Sequence, residues 1–220
     1  MLMQIGDILQ AAHAAQFRQQ LSAEHATFVA GKATAGWYAR DVKSNEQSAG
    51  PAANAIIATV QEKLLNNPVF VSAARPKEFV KVLVSRYTPG MAYGSHVDDA
   101  LMGGKRTDLS FTLFLSEPDS YDGGELLIEG HDGDTVVKPA AGCMVLYPTT
   151  DLHRVNEVTR GERLAVVGWV RSYIRNTEQR ETLFDLDHVI ATLRAASVER
   201  RLTDKVFKVR NTLTRMWVDD

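Results

Sequence analysis

The sequence predicts a mostly-β domain, a sandwich or barrel, with helices before and after it. Short runs rich in β-branched and aromatic residues follow one another from Val69 to Ser172, separated by glycine, proline, aspartate and asparagine. Many short strands at this spacing are typical of a sandwich or barrel. The flanking segments place apolar residues at helical spacing. A chain of 220 residues can bury such a core without disulfides.

Two helices are predicted before the strands. The first covers residues 7–21, where apolar residues recur at helical spacing. The second begins at Pro51, because proline fits the first helical position, and ends near Asn66-Asn67-Pro68. Its apolar face is formed by Ile56, Ile57, Val60 and Leu64. Residues 31–50, rich in small and polar residues, are predicted as a loop with one strand around Trp37–Val42.

Nine strands are predicted after the second helix. From Leu109 to Leu115 the apolar side chains alternate with Ser110 and Thr112, as expected for a strand with one buried face. The predicted strands cover residues 69–73, 78–87, 92–98, 108–115, 124–129, 134–138, 143–147, 153–158 and 163–172.

The chain returns to helical periodicity after Tyr173. Two apolar stripes are predicted there, formed by Leu183, Leu186, Ile190 and Leu193 and by Leu202, Val206, Val209, Leu213 and Trp217. The basic residues of the last helix are interpreted as a solvated face and not as a nucleic-acid surface. We therefore predict a β domain with its N-terminal helices, residues 1–175, and a C-terminal helical extension, residues 176–220.

Composition excludes several classes of partner. The net charge is −2 and 45% of the residues are hydrophobic, so we expect a soluble globular protein that binds neither nucleic acid nor an anionic membrane. No stretch approaches the roughly 18 to 20 apolar residues of a membrane span, and the amino terminus lacks a signal-peptide pattern. Cys143 is the single cysteine and cannot form an internal disulfide. A cytoplasmic protein is expected.

Three residues form a candidate metal site. His96 and Asp98 are two residues apart, so on a strand their side chains project to the same face. His153 follows 57 residues after His96 in another predicted strand. Two histidines and one carboxylate on one face hold Fe(II) and leave open coordination positions, whereas a closed four-ligand site would be structural. These positions can accept a 2-oxo acid and dioxygen.

Arg163 lies ten residues after His153. A guanidinium at this place, one short hairpin beyond the last ligand, can bind the far carboxylate of 2-oxoglutarate through two parallel hydrogen bonds. Two other arginines are candidates for the same role. Arg160 is expected in the turn, and Arg171 shares the strand parity of Arg163 but lies toward the other end of the strand.

These motifs resemble those of the Fe(II)/2-oxoglutarate-dependent dioxygenases, and most closely the prolyl-4-hydroxylase-like branch of PKHD-type hydroxylases. The resemblance spans roughly residues 30 to 175 and depends on the order and spacing of its motifs. They are Arg86-Tyr87-x-Pro89-Gly90, His96-x-Asp98, Tyr121-Asp122-Gly123-Gly124-Glu125-Leu126, Pro139-x-x-Gly142, His153 with Arg163, Thr34-Ala35-Gly36, and Lys43-x-Asn45-x-Gln47.

The resemblance carries further expectations. It narrows the fold to a double-stranded β-helix, or jelly roll, and it implies oxidative decarboxylation of 2-oxoglutarate to succinate and CO2, coupled to hydroxylation of a C–H bond. Fe(II), 2-oxoglutarate and O2 are the expected cofactors, with L-ascorbate as a further reductant. Tyr87 matches a tyrosine that helps bind 2-oxoglutarate in related enzymes; the alternative is a core aromatic residue. The substrate is a peptidyl proline or a small molecule, and the C-terminal helices can support a homodimer.

Several alternatives stay open. The chain can be a metal enzyme on a cupin-like jelly roll that does not use 2-oxoglutarate, or a non-catalytic module that senses iron or 2-oxoglutarate. His131 is a rival ligand, although its place between two glycines favours an exposed turn. Asp99 is a poor substitute for Asp98, because it would point away from His96 on a strand. Residues 99–106 are interpreted as a glycine-rich surface loop or a lid over the substrate.

Overall fold

The computed structural model describes residues 2–22, 26–34 and 36–219. Within these residues the chain forms sixteen strands, numbered in chain order, and five α-helices. The helices are α1 (Ala11–Ser22), α2 (Pro51–Leu65), α3 (Pro68–Ala74), α4 (Thr177–Ala195) and α5 (Arg200–Trp217), and a short 3-10 helix covers Gly31–Thr34.

All paired strands of the two main sheets are antiparallel. The large sheet contains, from edge to edge, β1 (Met3–Ile5), β13 (Met144–Pro148), β9 (Leu109–Phe114), β16 (Arg163–Ser172), β5 (Pro76–Tyr87), β4 (Glu46–Ala49) and β2 (Thr27–Ala30). The small sheet contains β12 (Thr135–Val137), β11 (Leu126–Ile128), β14 (His153–Val155), β6 (Ala92–His96) and β3 (Lys43–Ser44).

Two short ribbons complete the β-structure. They pair β7 (Leu101–Met102) with β8 (Lys105–Arg106) and β10 (Asp122–Gly123) with β15 (Val158–Arg160). The two main sheets form a jelly roll with helices before and after it, which confirms the predicted fold class.

The central strand β16 separates the two sides of the large sheet. Alternate side chains of a strand point to opposite faces. Leu164 and Val166 belong to the core formed with the N-terminal helices, to which α2 contributes Ile56 and Val60. The opposite face carries Arg163 and the residues that alternate with Leu164 and Val166 along the strand. This face points toward the small sheet and lines the cavity between the sheets.

Cross-strand register fixes which residues share this inner face. Arg163 pairs with Tyr87 at one end of β16, and Trp169 pairs with Lys81 near the other end. On the opposite side of β16, Trp169 also pairs with Ser110. The inner face of the large sheet is therefore polar at several positions, although its outer face is apolar.

The predicted strand at residues 69–73 is wrong, because the chain forms α3 there. Val69, Phe70 and Val71 favour strands, but local capping decides the outcome. The side chain of Asn67 accepts a hydrogen bond from the backbone N–H of Phe70 at 2.9 Å, and Pro68 occupies the first helical turn.

The predicted strand around Trp37–Val42 is also wrong, because these residues form turns. Trp37 is 84% exposed, so no second layer covers the aromatic side chain that suggested a strand. The neighbouring strands β2 and β4 were not predicted, and neither was β1. Each has at most four residues, too few to establish an alternating pattern.

Other boundaries differ less. The first helix begins at Ala11 and not at residue 7, although Ile8 and Leu9 are buried before it. The predicted strand 153–158 is divided between β14 and β15. Residues 99–106 contain the β7–β8 hairpin and are not an irregular loop. Its turn residues, Gly103 and Gly104, have φ of 57° and 77°, as a two-residue hairpin turn requires.

The C-terminal helices pack on the rest of the chain through α3 and α4. The predicted first stripe begins with Leu183, which is fully buried. The second stripe is only partly correct, because Leu202 and Val209 are half exposed. No helix in the described part of the chain is long and apolar enough to cross a membrane.

Asp187 joins three elements at this interface. Its carboxylate accepts hydrogen bonds from Ser72 Oγ at 2.6 Å, from Arg75 Nη2 at 2.6 Å and from Arg210 Nε at 2.8 Å. Hydrogen bonds from Arg210 and Ser72 and the charge of Arg75 outweigh the effect of burial and hold the pKa of Asp187 below its usual value. The ionised carboxylate therefore links α3, α4 and α5.

We expect Asp187→Ala to lower the free energy of unfolding by about 1.5–3 kcal/mol, because it leaves the nearly buried Arg75 without its counter-ion. Urea denaturation measures the change. The control is Asp204→Ala, which breaks a pair with Arg200 between side chains that are 65% and 94% exposed, and its effect should stay within about 0.5 kcal/mol. Equal effects of the two variants would contradict this role of Asp187.

Candidate metal and 2-oxo acid site

His96 and His153 lie opposite each other on adjacent strands of the small sheet. His96 ends β6, His153 begins β14, and the two residues are direct cross-strand partners. Opposed residues of an antiparallel pair have close side chains. The two imidazole ring centroids are 4.2 Å apart, and both residues are buried.

Asp98 follows β6 by two residues and connects the small sheet to the large one. Its Oδ2 accepts a hydrogen bond of 2.5 Å from the hydroxyl of Ser110, which lies on β9. This contact fixes the carboxylate between the two histidines. Asp98 Oδ1 lies 3.9 Å from His96 Nε2, and Asp98 Oδ2 lies 3.8 Å from His153 Nε2. One donor atom from each residue lies within 4.8 Å of the others, a separation suited to a shared metal ion.

The hydrogen bonds of the two histidines fix their tautomers. His96 Nδ1 lies 2.8 Å from the carbonyl oxygen of Gly94, and His153 Nδ1 lies 2.9 Å from that of Asp151. Because a carbonyl oxygen only accepts, each Nδ1 carries the hydrogen and donates it. Each Nε2 therefore presents its lone pair toward Asp98, the arrangement in which a neutral histidine binds a metal ion.

Aromatic rings enclose the histidines. The ring of Tyr93 stacks on His96 at 3.6 Å between centroids, and Tyr147 meets His153 edge-on at 5.0 Å. Burial, assisted by the nearby imidazole of His153, lowers the pKa of His96 to about 4. At neutral pH the His96 ring is therefore uncharged, as a metal ligand must be.

Arg163 is a buried cation without a counter-ion. The residue is 1% exposed, and no carboxylate in the described part of the chain forms an ion pair with it. Its guanidinium carbon lies 5.1 Å from the ring centroid of Tyr87 and 5.2 Å from that of Phe114, and its Nε has no hydrogen-bond partner. A buried charge without a partner is costly, so an anion from outside the chain would stabilise it.

Two other buried arginines show that this state is unusual for the chain. Arg180 is 2% exposed, but its guanidinium donates to the carbonyl oxygens of Ile174 and Arg175 and to the hydroxyl of Thr177, at 2.7–2.9 Å. Arg75 is paired with Asp187. Burial alone therefore does not mark a ligand site, whereas burial without an acceptor does.

Gly124 makes room for the side chain of Arg163. Its φ is 65°, and a Cβ atom at this position would lie 3.0 Å from Arg163 Cδ, 3.0 Å from the Tyr121 ring and 2.9 Å from Val158 Cγ2. This crowding gives the Gly123-Gly124 pair of the sequence motif a physical role, which is to let the arginine stem pass between the loop and β15.

Tyr87 lies next to Arg163 at the inner end of the cavity. Burial raises the pKa of its phenol, so the hydroxyl keeps its proton at neutral pH and can donate a hydrogen bond. The neighbouring Asn45 donates to the Ser85 hydroxyl at 2.9 Å, and its own Oδ1 is buried without a partner. Further polar capacity therefore lies beside Tyr87 and Arg163.

Lys43 is a cavity residue that sequence reasoning did not assign to the site. It is 5% exposed, its ammonium lies 4.9 Å from the ring centroid of Tyr93, and its one hydrogen bond is a long contact of 3.4 Å to Thr34 Oγ1. That hydroxyl also accepts from Gln47 at 2.6 Å and donates to the carbonyl of Gly31. Burial and then the charge of Lys81 lower the pKa of Lys43 to about 8.

The sequence motifs that contain Thr34 and Lys43 already pointed to this group of residues. Ala35, which follows Thr34 in the first motif, lies outside the described residues. Only the fold shows which side chains these motifs bring together. Lys43 reaches the cavity because β3 pairs with β6, which places Lys43 directly opposite Tyr93.

The rival residues lie elsewhere. His131 is exposed in the turn between β11 and β12. Arg160 is at the surface and pairs with Asp122 through hydrogen bonds of 2.7 and 3.0 Å. Arg171 contacts Glu78. Asp99 is exposed at the wall of the cavity and takes no part in the cluster of His96, Asp98 and His153.

A cavity of about 530 Å³ contains all the predicted site residues. Its wall includes His96, Asp98 and His153, with Arg163 and Tyr87 at the same cavity. The lining also includes Gly36 and Ala39 from the loop after the 3-10 helix and Leu101 and Met102 from the β7–β8 hairpin. The volume is sufficient for a small diacid and part of a second molecule.

Comparison with known proteins agrees with this geometry. Residues 82–171 match the model of the 2OG-Fe(II) oxygenase superfamily. The chain is 56% identical over 194 residues to a PKHD-type hydroxylase of Maricaulis maris, covering 88% of this chain and 89% of that protein. It is 50% identical over 222 residues to a PKHD-type hydroxylase of Parvibaculum lavamentivorans, covering 100% of both.

Solved structures show the same fold. A prolyl-4-hydroxylase of Pseudomonas putida superimposes with a TM-score of 0.55 at 25% identity, covering 78% of this chain and 92% of that one. A prolyl hydroxylase of Trichoplax adhaerens, 13% identical, superimposes with a TM-score of 0.57 and covers 83% of this chain and 86% of that one.

The chain belongs to the 2OG-Fe(II) oxygenase superfamily and, within it, to the PKHD-type hydroxylases. Fe(II), 2-oxoglutarate and dioxygen are the cofactors and cosubstrates of this class.

We expect Gly124→Ala to destabilise the protein more than Gly104→Ala. Both residues have positive φ, so both variants incur a backbone strain of about 1–2 kcal/mol. Only the Cβ atom at position 124 meets neighbours within 4 Å, and one of them is Arg163. Urea denaturation of the two variants measures the difference, and a smaller loss for Gly124→Ala would show that the loop adapts without moving Arg163.

Proposed function

We propose that this chain is a hydroxylase in which His96, Asp98 and His153 bind Fe(II) and Arg163 binds the far carboxylate of 2-oxoglutarate. One observation carries the assignment. A fully buried guanidinium without an anionic partner opens onto the same cavity as a cluster of two imidazoles and one carboxylate. The cluster accounts for a metal ion, and the arginine accounts for an organic anion beside it.

The donor set fits Fe(II). Two neutral imidazoles and one carboxylate on one side of an ion leave positions for other ligands, a set typical of non-haem Fe(II) oxygenases. Fe(II), when bound, supplies the dioxygen chemistry that couples decarboxylation of 2-oxoglutarate to hydroxylation of a C–H bond.

The protein's own part is orientation and protection. The carbonyls of Gly94 and Asp151 hold the two histidines in the tautomer with a free Nε2. Ser110 keeps the Asp98 carboxylate turned between them. The rings of Tyr93 and Tyr147 cover the imidazoles and exclude water from this part of the cavity.

Arg163 and Tyr87 form the proposed end of the 2-oxoglutarate site. The guanidinium can donate two parallel hydrogen bonds to a carboxylate, and the protonated phenol of Tyr87 can donate a third. The tyrosine lies directly across the strand pair from the arginine. Their rigid strands, β5 and β16, hold both donors in place before the anion binds.

Further assignments remain predictions. The relatives are named hydroxylases and the structure from Pseudomonas putida is named a prolyl-4-hydroxylase, which supports a peptidyl proline as the substrate class. A small molecule is the alternative class. A homodimer, a cytoplasmic location, ascorbate as a reductant and a domain boundary at residue 175 stay predictions. A screen of peptides and metabolites for a mass gain of one oxygen distinguishes the two substrate classes.

We expect Asp98→Ala to weaken Fe(II) binding by at least about a hundredfold in anaerobic titrations, because the site loses its only carboxylate ligand. His96→Ala and His153→Ala should weaken it similarly. The control is His131→Ala, which alters an exposed turn and should bind one Fe(II) per chain as the parent does. Loss of iron in the control with retention in Asp98→Ala would overturn the ligand assignment.

We expect Arg163→Gln to raise the dissociation constant for 2-oxoglutarate by at least about a hundredfold, since losing one partner of a buried ion pair typically costs about 3–5 kcal/mol. Iron affinity should change little. Arg160→Gln is the matched control, because Arg160 is at the surface and paired with Asp122. The measurements are 2-oxoglutarate binding and succinate formation by the iron-loaded protein.

Succinate formation also separates the alternative functions. A metal enzyme that does not use 2-oxoglutarate would release no succinate, and a sensing module would bind 2-oxoglutarate without converting it. Parent-like binding and decarboxylation by Arg163→Gln would show that the cosubstrate site lies elsewhere.

A further inference from the structure

The cavity contains a second cationic region that the proposed cofactor site does not use. We propose that the substrate of this enzyme carries a carboxylate, which binds to the ammonium groups of Lys43 and Lys81. This inference rests on the proposed function, because it takes the cavity to be the active site. The positive charge of the cavity that no carboxylate of the chain compensates indicates the chemical class of the substrate.

Lys43 contributes the first ammonium group. The residue is 95% buried, yet it forms no ion pair with a carboxylate among the described residues, and its single hydrogen bond to Thr34 Oγ1 is long, at 3.4 Å. Its contact with the Tyr93 ring is a cation–π interaction, which leaves hydrogen-bond donors unused. A substrate oxygen would supply the acceptor that this ammonium lacks.

Lys81 contributes the second ammonium group. It lies on β5 and lines the cavity, and its side chain has neither a hydrogen bond nor an ion pair within the described residues. Lys43 and Lys81 line the same cavity, and after burial the charge of Lys81 is the next cause that lowers the pKa of Lys43. Two like charges held together without a counter-ion are unfavourable, and an anion between them would relieve the repulsion.

Lys81 lies away from the proposed 2-oxoglutarate site, whereas Lys43 lies near the metal cluster, over the Tyr93 ring that stacks on His96. Lys81 is directly opposite Trp169, which is six residues along β16 from Arg163. Six residues of strand span about 20 Å at a rise of about 3.3 Å per residue. A five-carbon diacid held at Arg163 is too short to reach Lys81. Lys81 therefore requires an anion other than the 2-oxoglutarate held at Arg163.

The charges that line the cavity favour a singly charged group. Asp98 belongs to the metal cluster and Arg163 to the 2-oxoglutarate site. Lys105, which also lines the cavity, is already paired with Glu78. The remaining lining charges are those of Lys43, Lys81 and Asp99, two positive and one negative. One positive charge stays uncompensated, which matches a carboxylate better than a phosphate dianion.

Trp169 provides a probe of this region. It is the cross-strand neighbour of Lys81, and its indole N–H is buried without an acceptor in the described part of the chain. The chain has three tryptophans, so the three indole signals of a nitrogen-15 NMR spectrum can be assigned with Trp37→Phe and Trp217→Phe. Only the Trp169 signal should respond to an anion bound at Lys81.

The experiment titrates sodium acetate into protein loaded with Zn(II) and 2-oxoglutarate, at constant ionic strength. We expect a saturable shift of the Trp169 signal in the millimolar range, no shift with acetamide, and weaker binding of inorganic phosphate. Lys81→Gln should weaken acetate binding by about tenfold or more, because one charge-assisted donor is lost. Lys43→Gln should have a similar effect.

The control is Lys77→Gln, which makes the same substitution on the same strand at a residue outside the cavity. It should bind acetate as the parent does, and an unchanged Trp217 signal shows that each variant is folded. Equal responses to acetate and acetamide, an absent response, or parent-like affinity in Lys81→Gln would overturn the inference.

The titration does not depend on turnover. If the Arg163→Gln measurements disprove the proposed function, acetate binding to Lys43 and Lys81 can still be observed. If that function holds and the titration fails, only the carboxylate inference is wrong.

Discussion

The strict alternation of side chains along β16 is the constraint on which the rest of the structure depends. One parity must be apolar, because it packs against the N-terminal helices through Leu164 and Val166. The other parity faces the cavity and places Arg163 at its inner end. A shift of one residue in the register of β16 would bury the wrong face and remove Arg163 from the cavity. The register of β16 therefore determines both the stability of the core and the position of Arg163.

The cavity has a second feature, which is that three of its cationic side chains form no ion pair with a carboxylate of the described residues. Arg180 shows that this chain can satisfy a buried guanidinium with its own oxygens. At Arg163 it does not, and Lys43 has only the long contact of 3.4 Å to Thr34 Oγ1, while the half-buried side chain of Lys81 has no hydrogen bond within the described residues. Leaving these cationic groups unpaired costs free energy. An anion that enters the cavity would pair with them and remove this cost, which strengthens its binding.

The sequence predicted the regular parts of the fold and the members of the site, but not every contact between them. The residues of β16 were predicted without error, because ten residues rich in valine, with a tryptophan, leave little ambiguity. The strand predicted at Val69–Val71 is wrong, because the helix cap at Asn67 outweighed the strand propensity of these residues. Lys43 could not be assigned, because its role follows from the pairing of β3 with β6, a contact between residues 50 apart in sequence. Pairing over such distances is not encoded in local periodicity.

The two sheets differ in what covers their outer faces. Helices pack on the large sheet, whereas the outer face of the small sheet carries the exposed Val136 and the ion pairs of Arg154 with Glu129 and Asp134. Surface pairs of this kind contribute little to stability. The turn at His131, next to these residues, is therefore a suitable position for a fluorescent dye or a surface tether. Attachment there would leave the metal cluster undisturbed on the opposite face of the same strands.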